Sequence, residues 1–423
     1  MQKKVNVSTY VLSIVAAVLI TFIVTFSGTQ IANSISTLIS AHKDINSLGA
    51  QIDSLQNELP EDKRNPELFK TLAIVDYLYQ SGYVDGVNND DLTYFLVNAY
   101  IAYVGDKYGV YYTPEQVESV FGSFEGTLSG LGVYIKTTLE SDGIKIYEVM
   151  DDSPAKDAGL ASGDIILEID GVLVKEVGCD QAADMLLGES GTTAHLKILR
   201  GEETKEITVT RRSFITQSVF YHKYALDETV GIVRILEFNN NTPAQFENAV
   251  NALLDGGCTS LVFDVRSNGG GTLDSCFEML DFLLPYGVIA YTTDADGNVV
   301  ETHYSNDGGI DVPMAILVDG ATASASELFT CTLMDRVGAT VVGTKTYGKG
   351  CMQSVLSLPT GGALKYTTNY FDCPNSPNFD GVGITPTVYV ELSEENSGKS
   401  YFEISDEEDN QLMSAYEALK NNK

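Results

Sequence analysis

The chain has 423 residues, more than one ordinary domain needs and enough for two or three cores. Its 58 acidic against 26 basic side chains leave a net charge of −32, which excludes nucleic acid as a partner, because such binding neutralises phosphates with Lys and Arg. An acidic membrane face would be repelled in the same way, so the charge reads as solubility rather than as a site.

Lys3 and Lys4 precede an uncharged apolar run from Tyr10 to Phe26, at the short end of what spans a membrane. The lysines set the N-terminus in the cytoplasm and everything after Ser27 outside. No clear A-x-A site follows Phe26, which favours an uncleaved anchor over a cleaved signal peptide. Ile31, Leu38, Ile45, Ile52 and Leu59 then recur every seven residues, with Leu48 and Leu55 between them. This heptad seam predicts a juxtamembrane coiled coil and a homodimer; a single amphipathic helix is the other reading.

Pro66 opens a helix closed by Gly82, and a second runs through "DDLTYFLVNAYIAYVGD", giving a helical segment over 63–125. From Gly126 the period changes to that of strands: "GVYIKTT", "IKIYEVM", "DIILEID", "AHLKILR" and "EITVTRR" alternate or run β-branched between Gly and Asp turns, a β-rich unit over 126–212. From Val230 strands and helices alternate: "VGIVRI", a helix over Pro243 to Leu254, "SLVFDV", a helix over Asp274 to Leu284, "MAILVD", a helix starting near Ser324, and "ATVVGT". That order predicts βαβ units around a mainly parallel sheet over 213–395. Residues 396–423 read as an acidic tail with a helix over Asp406 to Leu419. The fold class is multidomain α+β: a membrane helix over 1–28, the heptad helix over 29–62, a helical segment, a β-rich unit and an α/β core.

The stretch "VDGATASASELF" carries three hydroxyls, Thr322, Ser324 and Ser326, two apart among alanines. A serine hydroxyl is a poor nucleophile unless a base activates it. Of the four histidines, His42 falls in the heptad segment and His195 in a strand, so a Ser-His-Asp triad would need His222 or His303. A lysine serves instead if burial depresses its pKa from about 10.4 toward 7 or 8. "TKTYGKGCMQS" supplies a candidate, with Lys349 between Gly348 and Gly350 and Gln353 four residues on. In "LVFDVRSNGGGTLD" an apolar strand runs into Asn268, Gly269, Gly270 and Gly271, freeing backbone N–H groups to face an oxyanion. No H-E-x-x-H motif occurs, and Cys179, Cys258, Cys276, Cys331, Cys351 and Cys373 lack C-x-x-C spacing. No metal site, small disulfide scaffold or cofactor is expected, and most of the cysteines read as buried small hydrophobes.

In this order, "FDVRSNGGGTLD", "ATASASELF" and "GTKTYGKGCMQ" resemble the carboxyl-terminal processing peptidases, PDZ-containing serine proteases of the S41 type with a Ser-Lys dyad. The 25 positions from Ser324 to Lys349 and the four from Lys349 to Gln353 match that family's pattern. "YVGDKYGVYYTPEQ" is similar to its helical segment and "SPAKDAGLASGDIILEIDGV" to bacterial PDZ cores. One residue departs from the pattern: Gly269 stands where the family usually has proline.

The resemblance implies that Ser324 attacks the scissile carbonyl, that neutral Lys349 takes its proton, and that Gln353 orients the amine. The oxyanion would be held by Gly270 or Gly271 and the N–H of Ala325. Glu327 reads as a first-turn acid favoured by the helix dipole, and Asp264 and Arg266 as loop support. Gly130, Leu131, Gly132 and Val133 form a "GLGV" turn suited to catching a peptide's terminal carboxylate while the peptide adds as a strand. The expected protein is a serine endopeptidase on the outer side of a bacterial cell membrane, acting on proteins or peptides with free C-termini. Two alternatives differ in class: a noncatalytic PDZ adaptor on a degenerate protease body, and a Ser-His hydrolase of small esters. Retention of Ser324, Lys349 and Gln353 favours the peptidase.

Overall fold

In the computed structural model the described residues are 65–82 and 92–421. The apolar run from Tyr10 to Phe26 and the heptad positions from Ile31 to Leu59 lie outside them. No helix among the described residues is long and apolar enough to cross a membrane.

The first helix, Pro66–Gly82, matches its sequence limits. The chain from Tyr94 on forms its own compact unit, entered through helix Leu92–Val104. Helix Pro114–Glu125 starts with proline in its first turn and stops at Gly126, in the left-handed conformation with φ 68°. Gln116 Oε1 accepts the Thr113 N–H at 3.0 Å, satisfying a donor the helix itself leaves unpaired.

Strands Thr127–Gly130 and Arg212–Ile215 pair antiparallel as the entry to and exit from the β-rich unit. Inside it, Val133–Glu140, Gly143–Val149, Ile165–Ile169, Thr193–Arg200 and Glu203–Thr210 form an antiparallel sheet in that order, with Val172–Leu173 pairing beside Ile165–Ile169. Thr193–Arg200 shows why: Ala194, Leu196 and Ile198 are buried while His195 and Lys197 face water, the two-residue period of a half-covered sheet. Helix Val174–Leu186 packs beside the edge strand Val133–Glu140.

The core sheet has the order Val219–Tyr224, Asp227–Ile235, Ser260–Asp264, Met314–Val318, Thr340–Gly343, Val388–Tyr389. Its first pair is antiparallel and the rest are parallel. Ser260–Asp264 and Met314–Val318 are buried at every position, as strands covered on both faces must be. One face carries helices Thr242–Asp255, Leu273–Leu283 and Ala325–Val337, with Phe238, Phe246, Phe263 and Phe329 packed ring to ring. The other face is covered by helix Asn410–Asn421 through Leu412, Ala415 and Leu419. The segment that reads as an acidic tail thus completes the hydrophobic core.

A second sheet, which the sequence reading did not anticipate, is antiparallel: Val110–Tyr112, Ala363–Asp372, Gly287–Thr293 and Val299–Ser305, with Cys351–Ser357 also paired to Ala363–Asp372. Cys331 and Cys373 form a disulfide, a pairing that their spacing in the sequence does not indicate. Cys179, Cys258, Cys276 and Cys351 are free.

Candidate active site

The site forms where three loops leave the C-terminal ends of the neighbouring parallel strands Ser260–Asp264, Met314–Val318 and Thr340–Gly343. After Met314–Val318 the Asp319 carboxylate accepts the N–H groups of Ala321, Thr322 and Ser267 at 2.9–3.0 Å. The Ala323 N–H donates to Asn268 O at 3.0 Å. These bonds join the serine turn to the glycine loop before helix Ala325–Val337 begins. Ser324 stands at the helix cap with φ 58° and ψ −121°, a sparsely populated conformation for a side-chain-bearing residue that costs roughly 1–3 kcal/mol.

The three hydroxyls differ in access. Thr322 is buried and its hydroxyl donates to Val265 O at 2.8 Å. Ser326 is buried, with no partner for its hydroxyl among the described residues. Ser324 alone keeps some exposure, at 8%.

Gly270 has φ 101°, and a Cβ there would lie 2.8 Å from Ser324 Cβ and 2.9 Å from Ala325 N. Glycine is therefore required for this loop to sit against the serine. The Gly270 N–H donates to Asn268 Oδ1 at 2.9 Å. Among the described residues no acceptor meets the N–H groups of Gly271 and Ala325.

Glu327, fully buried, joins the serine to the lysine loop. Its Oε2 accepts the Ser324 N–H at 2.9 Å and the Lys349 N–H at 2.8 Å; its Oε1 accepts the Gly348 N–H at 2.7 Å and the Thr346 hydroxyl at 2.5 Å. One carboxylate thus fixes the backbone of both candidate dyad residues. The sequence reading, which gave Glu327 to the helix dipole, missed this. Its signal was an acid three residues into a helix, the position from which a carboxylate reaches back to the cap.

Lys349 is half-buried. Burial pushes its amine below the ordinary lysine value, Lys365 pushes it the same way, and Cys351 and Glu327 oppose both. The Nζ lies 4.7 Å from the centroid of the Tyr108 ring, and among the described residues no hydrogen bond joins it to the Ser324 hydroxyl. Gln353 turns its Nε2 toward Cys351, 3.2 Å from its carbonyl oxygen and 3.4 Å from its sulfur, and not toward Lys349. The histidines are engaged elsewhere: His222 pairs with Asp406 at 2.9 Å, and His303 meets Thr292 and stacks on Phe277.

Asp264 and Arg266 form a buried ionic cluster at the foot of the glycine loop. Asp264 accepts from Arg234 and Arg266, and Arg266 also reaches Asp409 at 2.7 Å and Gln411 at 2.9 Å. The two guanidinium groups overcome burial and hold the Asp264 carboxyl below the usual carboxylate range. In the β-rich unit Leu131 O accepts the Ala155 N–H, and Gly132 O the Met150 N–H. Gly132 has φ 80°, and a Cβ there would fall 2.4 Å from Ser153 Cβ. Gly130 bridges to Leu187, and Val133 begins the open edge strand.

The profile of peptidase family S41 matches residues 229–390, and that of the PDZ domain matches residues 129–210. The carboxyl-terminal-processing protease of Picosynechococcus sp. is 33% identical over 308 residues, which cover 71% of this chain and 73% of the relative. Carboxyl-terminal-processing peptidase 2, chloroplastic, of Arabidopsis thaliana is 31% identical over 71% of this chain, and the match spans 61% of its length. Among solved structures, an S41 protease candidate from Bacteroides fragilis shares the fold, with a TM-score of 0.51, 20% identity, and coverage of 72% of this chain and 88% of that one. The chain belongs to the carboxyl-terminal-processing proteases, PDZ-containing serine-type peptidases of family S41.

Proposed function

We propose that the chain is a membrane-anchored, extracytoplasmic serine endopeptidase that recognises substrate C-termini through its PDZ domain and cleaves with a Ser324–Lys349 dyad. The observation that carries this reading is the Glu327 carboxylate, whose Oε2 binds the N–H groups of both Ser324 and Lys349. Neutral Lys349 takes the Ser324 proton as the hydroxyl oxygen bonds to the scissile carbonyl carbon. The Ala325 N–H and the Gly270–Gly271 pair hold the oxyanion, for which the Gly271 and Ala325 donors have no competing acceptor among the described residues. Lys349 then protonates the leaving amine as the C–N bond breaks, and water releases the acyl group by the same base. Gln353 orients the amine once its amide turns from Cys351. The open edge Val133–Glu140, with the turn of Gly130, Leu131, Gly132 and Val133 at its start, takes the substrate end as an added strand. The Cys331–Cys373 disulfide supports an oxidising, outer compartment, and the heptad seam supports a homodimer.

Ser324→Ala and Lys349→Ala should each abolish cleavage of dye-labelled casein, because losses within one proton-transfer unit do not add. Lys349→Arg should be equally inactive, since a guanidinium keeps its proton. Only the neutral amine accepts the serine proton, so kcat/KM should rise with pH. Because burial lowers the Lys349 pKa, the limb should lie below lysine's ordinary value of about 10.4 and should survive replacement of His222 and His303 together. A limb near histidine's value that disappears on replacing His222 and His303 together would establish a Ser-His mechanism instead.

A further inference from the structure

We propose that Tyr108 is a positioning residue for Lys349: its ring caps the amine and keeps bulk water from it, and Asp106 and Thr367 hold the ring in place. The inference rests on the reading of Lys349 as the general base. The ring centroid lies 4.7 Å from Nζ, and Tyr108 comes from the turn after helix Leu92–Val104, far in sequence from both dyad residues. The turn is pinned from two sides. Asp106 Oδ1 accepts the Tyr108 N–H at 3.1 Å and the Thr367 hydroxyl at 2.8 Å, and its Oδ2 accepts the Thr367 N–H at 2.9 Å. Thr367 pairs in register with Gln353, so the anchor of the ring sits on the strand beside the lysine loop. The Tyr108 hydroxyl lies near Tyr347, two residues before Lys349. A cavity of about 330 Å³ is lined in part by Asp106, Tyr108, Cys351, Thr367 and Asp380.

A ring over an amine acts in two opposed ways. Its face attracts the ammonium form, whereas excluding water disfavours that form. The groups around the amine also divide, Lys365 repelling the charged form and Glu327 and Cys351 favouring it; Asp380, Tyr347 and Cys351 face the Tyr108 hydroxyl. Burial is the leading influence on Lys349, and the proposal assigns part of that burial to the ring, so that removing the ring returns the amine toward its ordinary basicity.

The test is the pH profile of kcat/KM for dye-labelled casein with the full chain. Tyr108→Phe should keep the acid limb where it is. Tyr108→Ala should move it up by about one pH unit, lowering kcat/KM about ten-fold at pH values below the limb and leaving it nearly unchanged above the limb. Asp106→Asn, which loosens the anchor and leaves the ring, should move the limb the same way by less, and it decides the matter if Tyr108→Ala does not fold. An unmoved limb with activity lowered at every pH would assign Tyr108 to structure alone. A limb displaced downward would assign the ring to holding the ammonium. Either result overturns the proposal, while activity surviving in Lys349→Ala would instead overturn the dyad on which it stands.

Discussion

At the residue scale the most informative side chain is Glu327. Four donors converge on its two oxygens, so Glu327→Gln cannot replace it: the amide offers one acceptor and turns its NH2 toward two donors. A buried donor left without an acceptor costs roughly 1–3 kcal/mol, and a dyad displaced by about 1 Å loses on the order of 10²-fold in rate. Glu327→Gln should therefore lower kcat/KM by about that factor. Because the Glu327 charge raises the Lys349 pKa, its removal should also move the acid limb to lower pH. Near-normal kcat/KM in this variant would show that the carboxylate does not set the dyad. Ser326 gives the opposite case. Its buried hydroxyl has no partner among the described residues, so Ser326→Ala should retain activity and leave stability unchanged or raise it by up to about 1 kcal/mol, read from denaturant midpoints.

At the element scale, legibility followed periodicity. Strands buried on both faces, such as "MAILVD", and the helix over 66–82 were readable because one face or one period dominates each. The glycine loop, the serine turn and the lysine loop, which the structure brings together, stand out in the sequence because glycine tolerates backbone conformations and close approaches that other residues do not, which confines such loops to recognisable stretches. The second sheet was not readable: Ala363–Asp372 is central to it but partly exposed along most of its length, and it pairs with segments up to some 250 residues away. The contacts of Glu327 and Tyr108 were hidden for the same reason, since each is made with another element.

The disulfide is a further pairing that spacing alone does not give. It ties helix Ala325–Val337, which carries Ser324 at its cap, to the end of Ala363–Asp372 across 42 positions. A cross-link closing a loop of that size restricts the unfolded chain by about 4 kcal/mol in the loop-entropy account. Replacing Cys331 and Cys373 together by Ala should lower the unfolding free energy by about 2–4 kcal/mol, measured in urea. An unchanged midpoint would mean that the two thiols are not joined in the working protein.

On the scale of the whole molecule, the segment after residue 395 links the parts. Phe402 stacks on Tyr134 of the PDZ domain and meets Phe220 of the core edge to face, while Lys145 and Glu403 pair at 3.0 Å. Tyr401 lies under Arg266, its ring centroid 4.0 Å from the guanidinium carbon. Asp409 and Gln411 complete the hydrogen bonds of that arginine at the foot of the glycine loop, and Leu412, Ala415 and Leu419 cover Val262, Ala315, Leu317 and Val342 of the sheet. Ending the chain at residue 395 would remove every one of these contacts. The apolar sheet face would meet water, and Arg266, fully buried, would lose one of its two carboxylates; breaking such a pair costs about 3–5 kcal/mol. Against the roughly 5–15 kcal/mol by which domains are stable, the combined loss should exceed what the core can bear. The shortened chain should be insoluble or unfolded by circular dichroism, and inactive on casein, whereas Asp409→Asn in the full chain should fold with reduced stability. A soluble, active chain ending at 395 would show that the acidic segment is an appendage and that the sheet is stable with one face bare.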